Sequence, residues 1–451
     1  MSYFRFARRY LPLLFVLIPV ASASAEWKEQ VLYSFQGGTT DGSDPAGGVV
    51  FDKQGNLYGA TTGGGPDNCF PIAGECGLVF RLAPPAKKGD PWTETILYQF
   101  KGKTSNDASV PAGGVVLDAA GNVYGTTAYG GTGDCVLLGT SAGCGTVYEL
   151  SPPTKDGDPW TETLLYSFKS GNDGYFPWGS LTFDAGSLYG ATQFGGGKGN
   201  ACNEFYGGNC GTVFRLSPPK QKGGKWTEKV LYSFGAARDG TNPNGGLVLN
   251  RKGTIYGTTL YGGYYGGGCA KVGCGTVFKL KPPSGKGETW TEEQIHVFKD
   301  GNDGEWPQTG VTPDAKAYLY GTTIGTVFRL TPPLSRTSTS WGLATLYTFV
   351  GCGSGCDPQG TLIFDLSGKI YGTTYSALST SGTVYSLVPP TRKGGAWTFS
   401  ILYGFLGAPD GAQPQAGLVF DKAGDLYSTT QKGGTGSCSF YGCGTVFEVS
   451  P

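Results

Sequence analysis

The chain has 451 residues, and its 34 Lys and Arg residues balance 34 Asp and Glu residues, so its formal net charge is zero. Nucleic-acid-binding proteins need a basic surface, and this charge balance therefore excludes that class of partner. With 79 Gly residues, 13% aromatic residues, one Met and one His, the composition favours an all-β chain rich in tight turns.

The first 25 residues predict a secretory signal peptide. Three arginines, Arg5, Arg8 and Arg9, precede the apolar run LPLLFVLIPV, and ASASA supplies a small-residue cleavage site. The apolar run is too short to span a bilayer, and no other stretch of the chain is long enough. We therefore expect residues 26–451 to form a soluble domain without a membrane span, secreted to the periplasm or the extracellular medium.

Seven copies of one unit follow the predicted signal. Each copy contains four short phrases of β-branched and aromatic residues, such as WTETLLYSF (160–168), GGVVFD (47–52), NVYGTT (122–127) and GTVFRL (211–216). Turn residues separate the second phrase from the third, and proline or Ser-Pro follows the fourth. Each copy opens with a tryptophan: Trp27, Trp92, Trp160, Trp226, Trp290, Trp341 and Trp397.

Four antiparallel strands repeated seven times predict a seven-bladed β-propeller, because such units bury their faces only against one another. A β-solenoid is the alternative, but it favours shorter repeats and does not need four distinct strands. The mature chain begins on the tryptophan phrase and finishes on GTVFEV (444–449). We therefore expect strand 27–35 to pair with 444–449 in the last blade, which would close the ring without a free edge.

The tandem pattern YGTT…GG…GTVF resembles the GloVer repeat of secreted bacterial proteins, a group of the choice-of-anchor kind. The resemblance extends over essentially the whole mature chain. It implies export and a propeller-like β array, with no established reaction. Members often carry a C-terminal sorting anchor, whereas this sequence ends on its last predicted strand at Pro451. That difference favours free secretion over surface attachment.

The twelve cysteines lie in close pairs, five of them between the third and fourth phrases. An even number of cysteines in an exported protein predicts disulfides that each pin one short loop. Each bridge contributes on the order of 2 kcal/mol in the chain-entropy model. Zinc needs four converging nitrogen or sulfur ligands, so we expect no metal and no cofactor. The predicted pairs are Cys69–Cys76, Cys135–Cys144, Cys202–Cys210, Cys269–Cys274, Cys352–Cys356 and Cys438–Cys443.

The functional candidates are residues at which one copy departs from the others. The loop before the second phrase varies most, around a recurring proline, and its tips should surround the mouth of the central channel. Two tryptophans outside the repeat register lie there, and aromatic faces with carboxamides and carboxylates suit sugar rings. The alternative is that both tryptophans only cap the cores of their blades. The ligand-binding hypothesis comprises Trp306, Glu305, Asp303, Trp178, Phe176, Tyr175 and Asp357.

The fifth copy, YGTTIGTVFRL (320–330), has almost no loop between its third and fourth phrases. A shortened loop is thermodynamically cheap, so this difference alone indicates little. It coincides, however, with the unusual loop tip at Glu305 and Trp306. The coincidence predicts an open groove beside Trp306.

The sequence favours a binding or interaction module over an enzyme and assigns no catalytic residue. A single His, His296, stands where other copies have Tyr, and we interpret it as a strand substitution that offers neither a triad nor a metal site. The alternative is a carbohydrate-active enzyme, either a glycoside hydrolase with paired carboxylates or a polysaccharide lyase with a Tyr. A purely structural secreted protein is a third interpretation. We expect a monomer whose partner is a glycan or an extracellular protein. The candidate carboxylates are Asp303, Glu305, Asp357, Asp173 and Glu204.

Overall fold

The computed structural model describes most of the chain. The described residues are 26–66, 76–87, 89–137, 139–155, 157–197, 210–221, 223–235, 238–285, 287–334, 340–350, 357–377, 380–438 and 441–451. No helix in these segments is both long and apolar enough to cross a membrane. The helices within them are single 3-10 turns: Lys103–Ser105, Gly171–Asp173, Gly267–Cys269 and Gly301–Asp303.

Seven four- or five-stranded antiparallel sheets of the described residues are arranged as a seven-bladed β-propeller, which confirms the predicted fold. Each blade has strands A to D from the axis outward, and we number the blades one to seven in the order in which their A strands occur in the chain. The A strands are Val50–Phe51, Val116–Leu117, Thr182–Asp184, Val248–Leu249, Thr312–Pro313, Ile363–Phe364 and Val419–Phe420. The B strands are Leu57–Thr61, Val123–Gly130, Ser187–Thr192, Ile255–Gly262, Leu319–Thr322, Ile370–Thr374 and Leu426–Thr430.

The two outer strands complete each blade. The C strands are Leu78–Ala83, Thr146–Ser151, Thr212–Ser217, Thr276–Lys281, Thr326–Thr331, Thr383–Val388 and Thr445–Ser450. The D strands are Thr93–Gln99, Thr161–Ser167, Thr227–Ser233, Thr291–Val297, Gly342–Thr348, Thr398–Gly404 and Lys28–Ser34. Short strands in the loops are Gly42–Ser43, Gly63–Gly64, Ala108–Pro111, Val136–Leu137, Thr140–Ser141, Gly240–Pro243, Gly411–Ala412 and Lys432–Gly433.

The first strand of the chain closes the ring, as the repeat frame predicted. Lys28–Ser34 pairs antiparallel with Thr445–Ser450, from Lys28 opposite Ser450 to Ser34 opposite Thr445. The last blade therefore takes its outermost strand from the N-terminus and its other three strands from the C-terminus. This arrangement pairs the outer side of the C-terminal strand, which would otherwise be a free edge.

The hydrophobic core is divided into layers between neighbouring blades. Successive residues of a strand point to opposite faces, so Val79 packs towards blade two and Phe80 towards blade seven. The aromatic residue that follows each D strand meets the aromatic residue of the next C strand at ring-centroid distances of 4.9 to 5.5 Å. The same edge-to-face contact therefore recurs at all seven blade junctions, where it joins the sheets.

The repeat tryptophans add a second contact across the junctions. Trp160 lies 6.4 Å from the ring of Tyr58 in the preceding blade, and Trp92 lies 6.3 Å from Tyr427. At the axis, main chains of neighbouring blades approach so closely that a side chain would not fit. A Cβ atom on Gly245, for example, would lie 2.0 Å from the amide nitrogen of Gly310. The tryptophans and glycines that recur in the sequence thus serve the ring itself.

Candidate functional site

The loops between strands D and A contact the loops between strands B and C of the preceding blade. The N–H of Val110 donates to the carbonyl of Cys76 over 2.8 Å, and the N–H of Trp306 donates to that of Cys274 over 2.8 Å. The proline-containing loops and the described ends of the cysteine loops therefore lie on one face of the propeller. We call it the loop-rich face.

The residue before each loop proline has a left-handed backbone. Residues other than Gly seldom adopt this conformation, and a following proline restricts them further. In six of the seven sectors the N–H of this residue donates to the carbonyl before strand C, over 2.6 to 3.0 Å. The backbone frame thus recurs, and the side chains distinguish the sectors. With φ between 52° and 64°, the seven residues are Asp44, Val110, Phe176, Asn242, Trp306, Asp357 and Gln413.

Several side chains before the proline contact the end of strand B in the preceding blade. Phe176 packs edge-to-face on Tyr129 at 4.8 Å, and Trp306 packs edge-to-face on Tyr261 at 6.4 Å. At the equivalent place Lys432 pairs with the carboxylate of Asp44. In these three sectors the side chain before the proline therefore joins neighbouring blades, by ring packing or by an ion pair.

The residues after the prolines line a different feature, a cavity of about 290 Å³ at the axis on the loop-rich face. We call this cavity the axial cup. All seven blades contribute to its wall. Each blade provides the residue directly after its loop proline and one or two of the Gly, Ala, Ser or Thr residues that follow it. None of the described A-strand residues lines the cup, so the cup lies at the end of the axis on the loop-rich face. The seven residues directly after the prolines are Ala46, Ala112, Trp178, Asn244, Gln308, Gln359 and Gln415.

The chemistry of the axial cup is polar and uncharged. Its lining consists of one indole, four carboxamides, the hydroxyls of Ser180, Thr309 and Thr361, and small residues. The amide of Asn244 is held by Gln193 and by the main chain of Gln308. The other three carboxamides have no hydrogen-bond partner among the described residues, so their donors and acceptors are open to a ligand.

A group of aromatic rings supports Trp178, the one tryptophan among the described residues that line the cup. Trp178 stacks on Phe176 with a centroid distance of 5.4 Å and an interplanar angle of 8°. Phe176 in turn packs on Phe194 at 5.6 Å, and Tyr175 stacks on Phe194 at 5.4 Å. All four rings are half-buried. The contacts hold the Trp178 indole in a set orientation at the wall of the cup.

A second cluster surrounds the Cys269–Cys274 disulfide. A carboxyl oxygen of Glu305 lies 2.8 Å from the Cys269 Sγ. This oxygen and the sulfurs of Cys269 and Cys274 are possible metal ligands, and the three atoms lie within 4.8 Å of one another. Sulfurs joined in a disulfide are not thiolates, so the group lacks the soft ligands that zinc requires. Burial raises the pKa of Glu305, and the Asp300 carboxylate raises it further.

Trp306 belongs to this second cluster and does not line the axial cup. Its indole N–H donates to the carbonyl of Gly273 over 2.9 Å, and its ring packs against the core beside Cys269 and Cys274. The shortened loop of blade five lies next to it. There, Ile324 donates its N–H to the carbonyl of Glu305 over 3.1 Å.

Asp303 takes part in a recurring turn. Its Oδ1 lies 3.1 Å from Nε2 of His296, where the equivalent pair in blade two is Asp173 with the hydroxyl of Tyr166 at 2.6 Å. His296 therefore occupies the D-strand position of a tyrosine, as its interpretation as a strand substitution requires. The other oxygen of Asp303 is buried and has no hydrogen-bond partner in the described part of the chain.

Asp357 precedes the loop proline of blade six. Its carbonyl accepts the N–H of Tyr375 over 3.0 Å, and burial raises the pKa of its carboxyl group. The neighbouring Cys352 and Cys356 lie outside the described residues, as does Glu204.

Among the described residues, three of the predicted disulfides are present: Cys135–Cys144, Cys269–Cys274 and Cys438–Cys443. Cys76 and Cys210 are also disulfide-bonded. Their predicted partners, Cys69 and Cys202, lie outside the described residues.

A profile described as the Gloeobacter/Verrucomicrobia repeat matches residues 20–269 and 135–333, which together make up more than half of the chain. The protein belongs to this repeat family. No curated protein sequence matches the chain.

Two solved structures resemble the repeat protein at 15% sequence identity. One is described as an oxidoreductase (glucose dehydrogenase) from Thermus thermophilus; the match covers 76% of this chain and 97% of that chain, with a TM-score of 0.41. The other is a gluconolactonase from Xanthomonas campestris; the match covers 67% of this chain and 78% of that chain, with a TM-score of 0.34. Both TM-scores are too low to bear on function.

The structure of this repeat protein groups the predicted ligand-binding residues into separate sectors. Trp178, Phe176 and Tyr175 lie together beside the axial cup, whereas Glu305 and Trp306 lie around the Cys269–Cys274 disulfide. Sequence reasoning did not include the carboxamides after the prolines among the binding residues. The signal that identifies them is their constant position one residue after each loop proline: Asn244, Gln308, Gln359 and Gln415.

Proposed function

We propose that this protein is a secreted, non-catalytic binding module that holds one neutral sugar residue in the axial cup. The observation that carries the proposal is the composition of the ring of residues after the prolines. Seven backbone-equivalent positions converge on one cavity, and they present an indole and four carboxamides with no charged side chain. A pocket of this composition fits a neutral ligand that is rich in hydroxyl groups.

The two kinds of side chain divide the recognition of a sugar between them. The indole of Trp178 offers an apolar face for the C–H groups of a pyranose ring. Carboxamides both donate and accept hydrogen bonds, so Gln308, Gln359 and Gln415 can pair with sugar hydroxyls that act as donors or as acceptors. The cup, at about 290 Å³, lies at the lower limit of the roughly 300–1,000 Å³ of small-molecule sites. This volume suits one sugar ring rather than a chain.

The lining of the cup also supports binding without a reaction. Glycoside hydrolysis needs two carboxyl groups beside the scissile bond, and a lyase needs a base. None of the residues that line the axial cup is Asp, Glu, His, Lys, Arg or Tyr. The carboxyl groups of Glu305 and Asp303 lie in a different sector, around the Cys269–Cys274 disulfide and the His296 turn.

Two glutamines in one loop provide a matched test. Gln415 follows the loop proline and lines the cup, whereas Gln413 precedes it and has a φ of 59°. We expect Gln415→Ala to reduce retention on agarose coupled to glucose, galactose, mannose or N-acetylglucosamine, and Gln413→Ala to bind like the wild type. Trp178→Ala should abolish retention.

Several outcomes would overturn the proposal. Equal losses in Gln413→Ala and Gln415→Ala, or no retention of the wild-type protein on any of these sugars, would contradict the cup as the site. Loss of binding in Trp306→Ala but not in Trp178→Ala would move the site to the Glu305 cluster. New reducing ends released from oligosaccharides would favour the carbohydrate-active enzyme instead.

A further inference from the structure

Five D strands carry a glutamate two residues after the repeat tryptophan, and each glutamate is half-buried at a junction between blades. In all five, Oε1 is inaccessible to solvent and has no hydrogen-bond partner among the described residues. An unpaired carboxylate in such a place is costly, because burial penalises the charged form. The five residues are Glu29, Glu94, Glu162, Glu228 and Glu292.

Each glutamate is electrostatically coupled to a tyrosine and an aspartate from the neighbouring blade. In the junction between blades seven and one, Tyr33 donates its hydroxyl to Asp41 over 3.1 Å. The same aspartate accepts the N–H groups of Gln36 and Gly42 over 2.7 and 2.6 Å. Asp41 is therefore occupied as an acceptor, and Glu94 of blade one faces this negative group.

The groups around the glutamates include an equivalent aspartate and tyrosine at each of these junctions, with further groups at two of them, among which Lys101 lowers the pKa of Glu162. They are Asp410 and Tyr403 for Glu29, Asp41 and Tyr33 for Glu94, Asp107, Tyr98, Tyr148 and Lys101 for Glu162, Asp173 and Tyr166 for Glu228, and Asp239, Tyr232 and Glu293 for Glu292.

Burial and the adjacent aspartate act in the same direction on these carboxyl groups. They raise the pKa of Glu94, Glu162 and Glu228 to about 7 each. They raise the pKa of Glu29 and Glu292 to about 8. All five side chains thus hold a proton in the folded state at a mildly acidic pH.

The two remaining junctions lack the glutamate and also lack one of its two neighbouring groups. Between blades four and five the tyrosine is replaced by His296, and Leu343 stands in place of the glutamate. Between blades five and six the sequence has no aspartate between Tyr347 and Asp357, and Phe399 stands in place of the glutamate. Phe399 stacks on Tyr347 with centroids 4.3 Å apart and an angle of 8°. The acid is present only where both the tyrosine and the aspartate are present.

We propose that the five glutamates are protonated in the folded protein at acidic pH, where they stabilise the contacts between neighbouring blades. When they ionise at higher pH, they weaken these contacts. Their folded-state affinity for protons exceeds that of the unfolded chain, so the stabilisation is complete below the unfolded pKa of about 4.3. It is lost as the pH rises through the folded values of about 7 to 8. Above that range each ionised glutamate adds a second negative charge to its junction.

The test is the number of protons released on unfolding, obtained from the slope of the unfolding free energy against pH. Near pH 6, five glutamates protonated in the folded state and ionised in the unfolded state should release between about four and five protons. A variant with all five replaced by Gln should release between about four and five fewer protons than the wild type. Its stability should also fall less between pH 6 and pH 9.

Adjacent residues of one strand supply a matched pair that does not depend on the folding of the fivefold variant. Glu292→Gln should remove about one of the released protons. Glu293 is paired with Lys279 and Lys281 at 2.9 and 2.6 Å. These lysines help to lower its pKa, so Glu293→Gln should leave the release near pH 6 close to the wild-type value. Equal release from Glu292→Gln and the wild type would overturn the proposal, as would a stability that does not fall from pH 6 to pH 9.

Discussion

Replacing Thr127 by Val should destabilise the propeller more than replacing its hydrogen-bonded partner Thr146 by Val. The two hydroxyl oxygens lie 2.8 Å apart, and that of Thr127 also lies 2.8 Å from the carbonyl of Tyr129. A carbonyl only accepts, so Thr127 must donate to Tyr129, and Thr146 must donate to Thr127. Both threonines are fully buried.

The direction of the two hydrogen bonds decides how much each substitution lowers the free energy of unfolding. In Thr127→Val the Thr146 hydroxyl is left buried without its acceptor, which costs about 1–3 kcal/mol. In Thr146→Val the bond from Thr127 to Tyr129 survives and one net hydrogen bond is lost, at about 0.5–1.5 kcal/mol. Blade one has Leu78 at the position of Thr146, and there Thr61 still donates to the carbonyl of Gly63 over 2.8 Å.

The double variant leaves no orphan hydroxyl, so its cost should be smaller than the sum of the two single costs by about 1 kcal/mol. Urea unfolding gives these differences from the shifts in midpoint, provided that the slopes stay equal. A Thr146→Val variant at least as destabilised as Thr127→Val would refute the assigned direction of donation. Strictly additive costs would refute the coupling between the two hydroxyls.

Two further predictions concern closure and crosslinking. Deletion of residues 26–36 removes the D strand of blade seven and the contact of Phe35 with Phe80 at 5.1 Å. Calorimetry of this variant should therefore show a broadened unfolding transition at a lower temperature. A single transition with an unchanged midpoint would contradict closure by this strand. Non-reducing peptide mapping should recover Cys69–Cys76, Cys202–Cys210 and Cys352–Cys356 beside the three bridges in the structure. A crosslink from Cys76 to Cys135 would show that the bridges do not pin single loops.

The blade count and the closure were readable from the sequence because they depend on local pattern and on repetition. Alternating apolar residues in phrases such as GTVFRL decide which residues face the neighbouring blades. A strand phrase at the N-terminus without its three companions predicts that it joins the last copy. The pairing of Lys28–Ser34 with Thr445–Ser450 confirms that inference.

The roles of the two unusual tryptophans were not readable in this way. Trp178 and Trp306 both adjoin a loop proline, and sequence spacing alone gives them equal weight. The left-handed turn before the proline directs Trp306 to Tyr261 of the preceding blade, while the residue after the proline reaches the axis. The direction of each side chain depends on the path of the backbone around the ring.

The sequence by itself therefore determined the unit, its number and the strand that closes the ring. Only the tertiary structure decided which variable residues share a cavity and which acids are buried. Glu94 lies in an outer strand of its own blade, and one of its carboxyl oxygens becomes inaccessible to solvent, beside Asp41, only when the preceding blade packs against it. Convergence at the axis and burial at the junctions arise between copies, so neither is encoded in the pattern of a single copy.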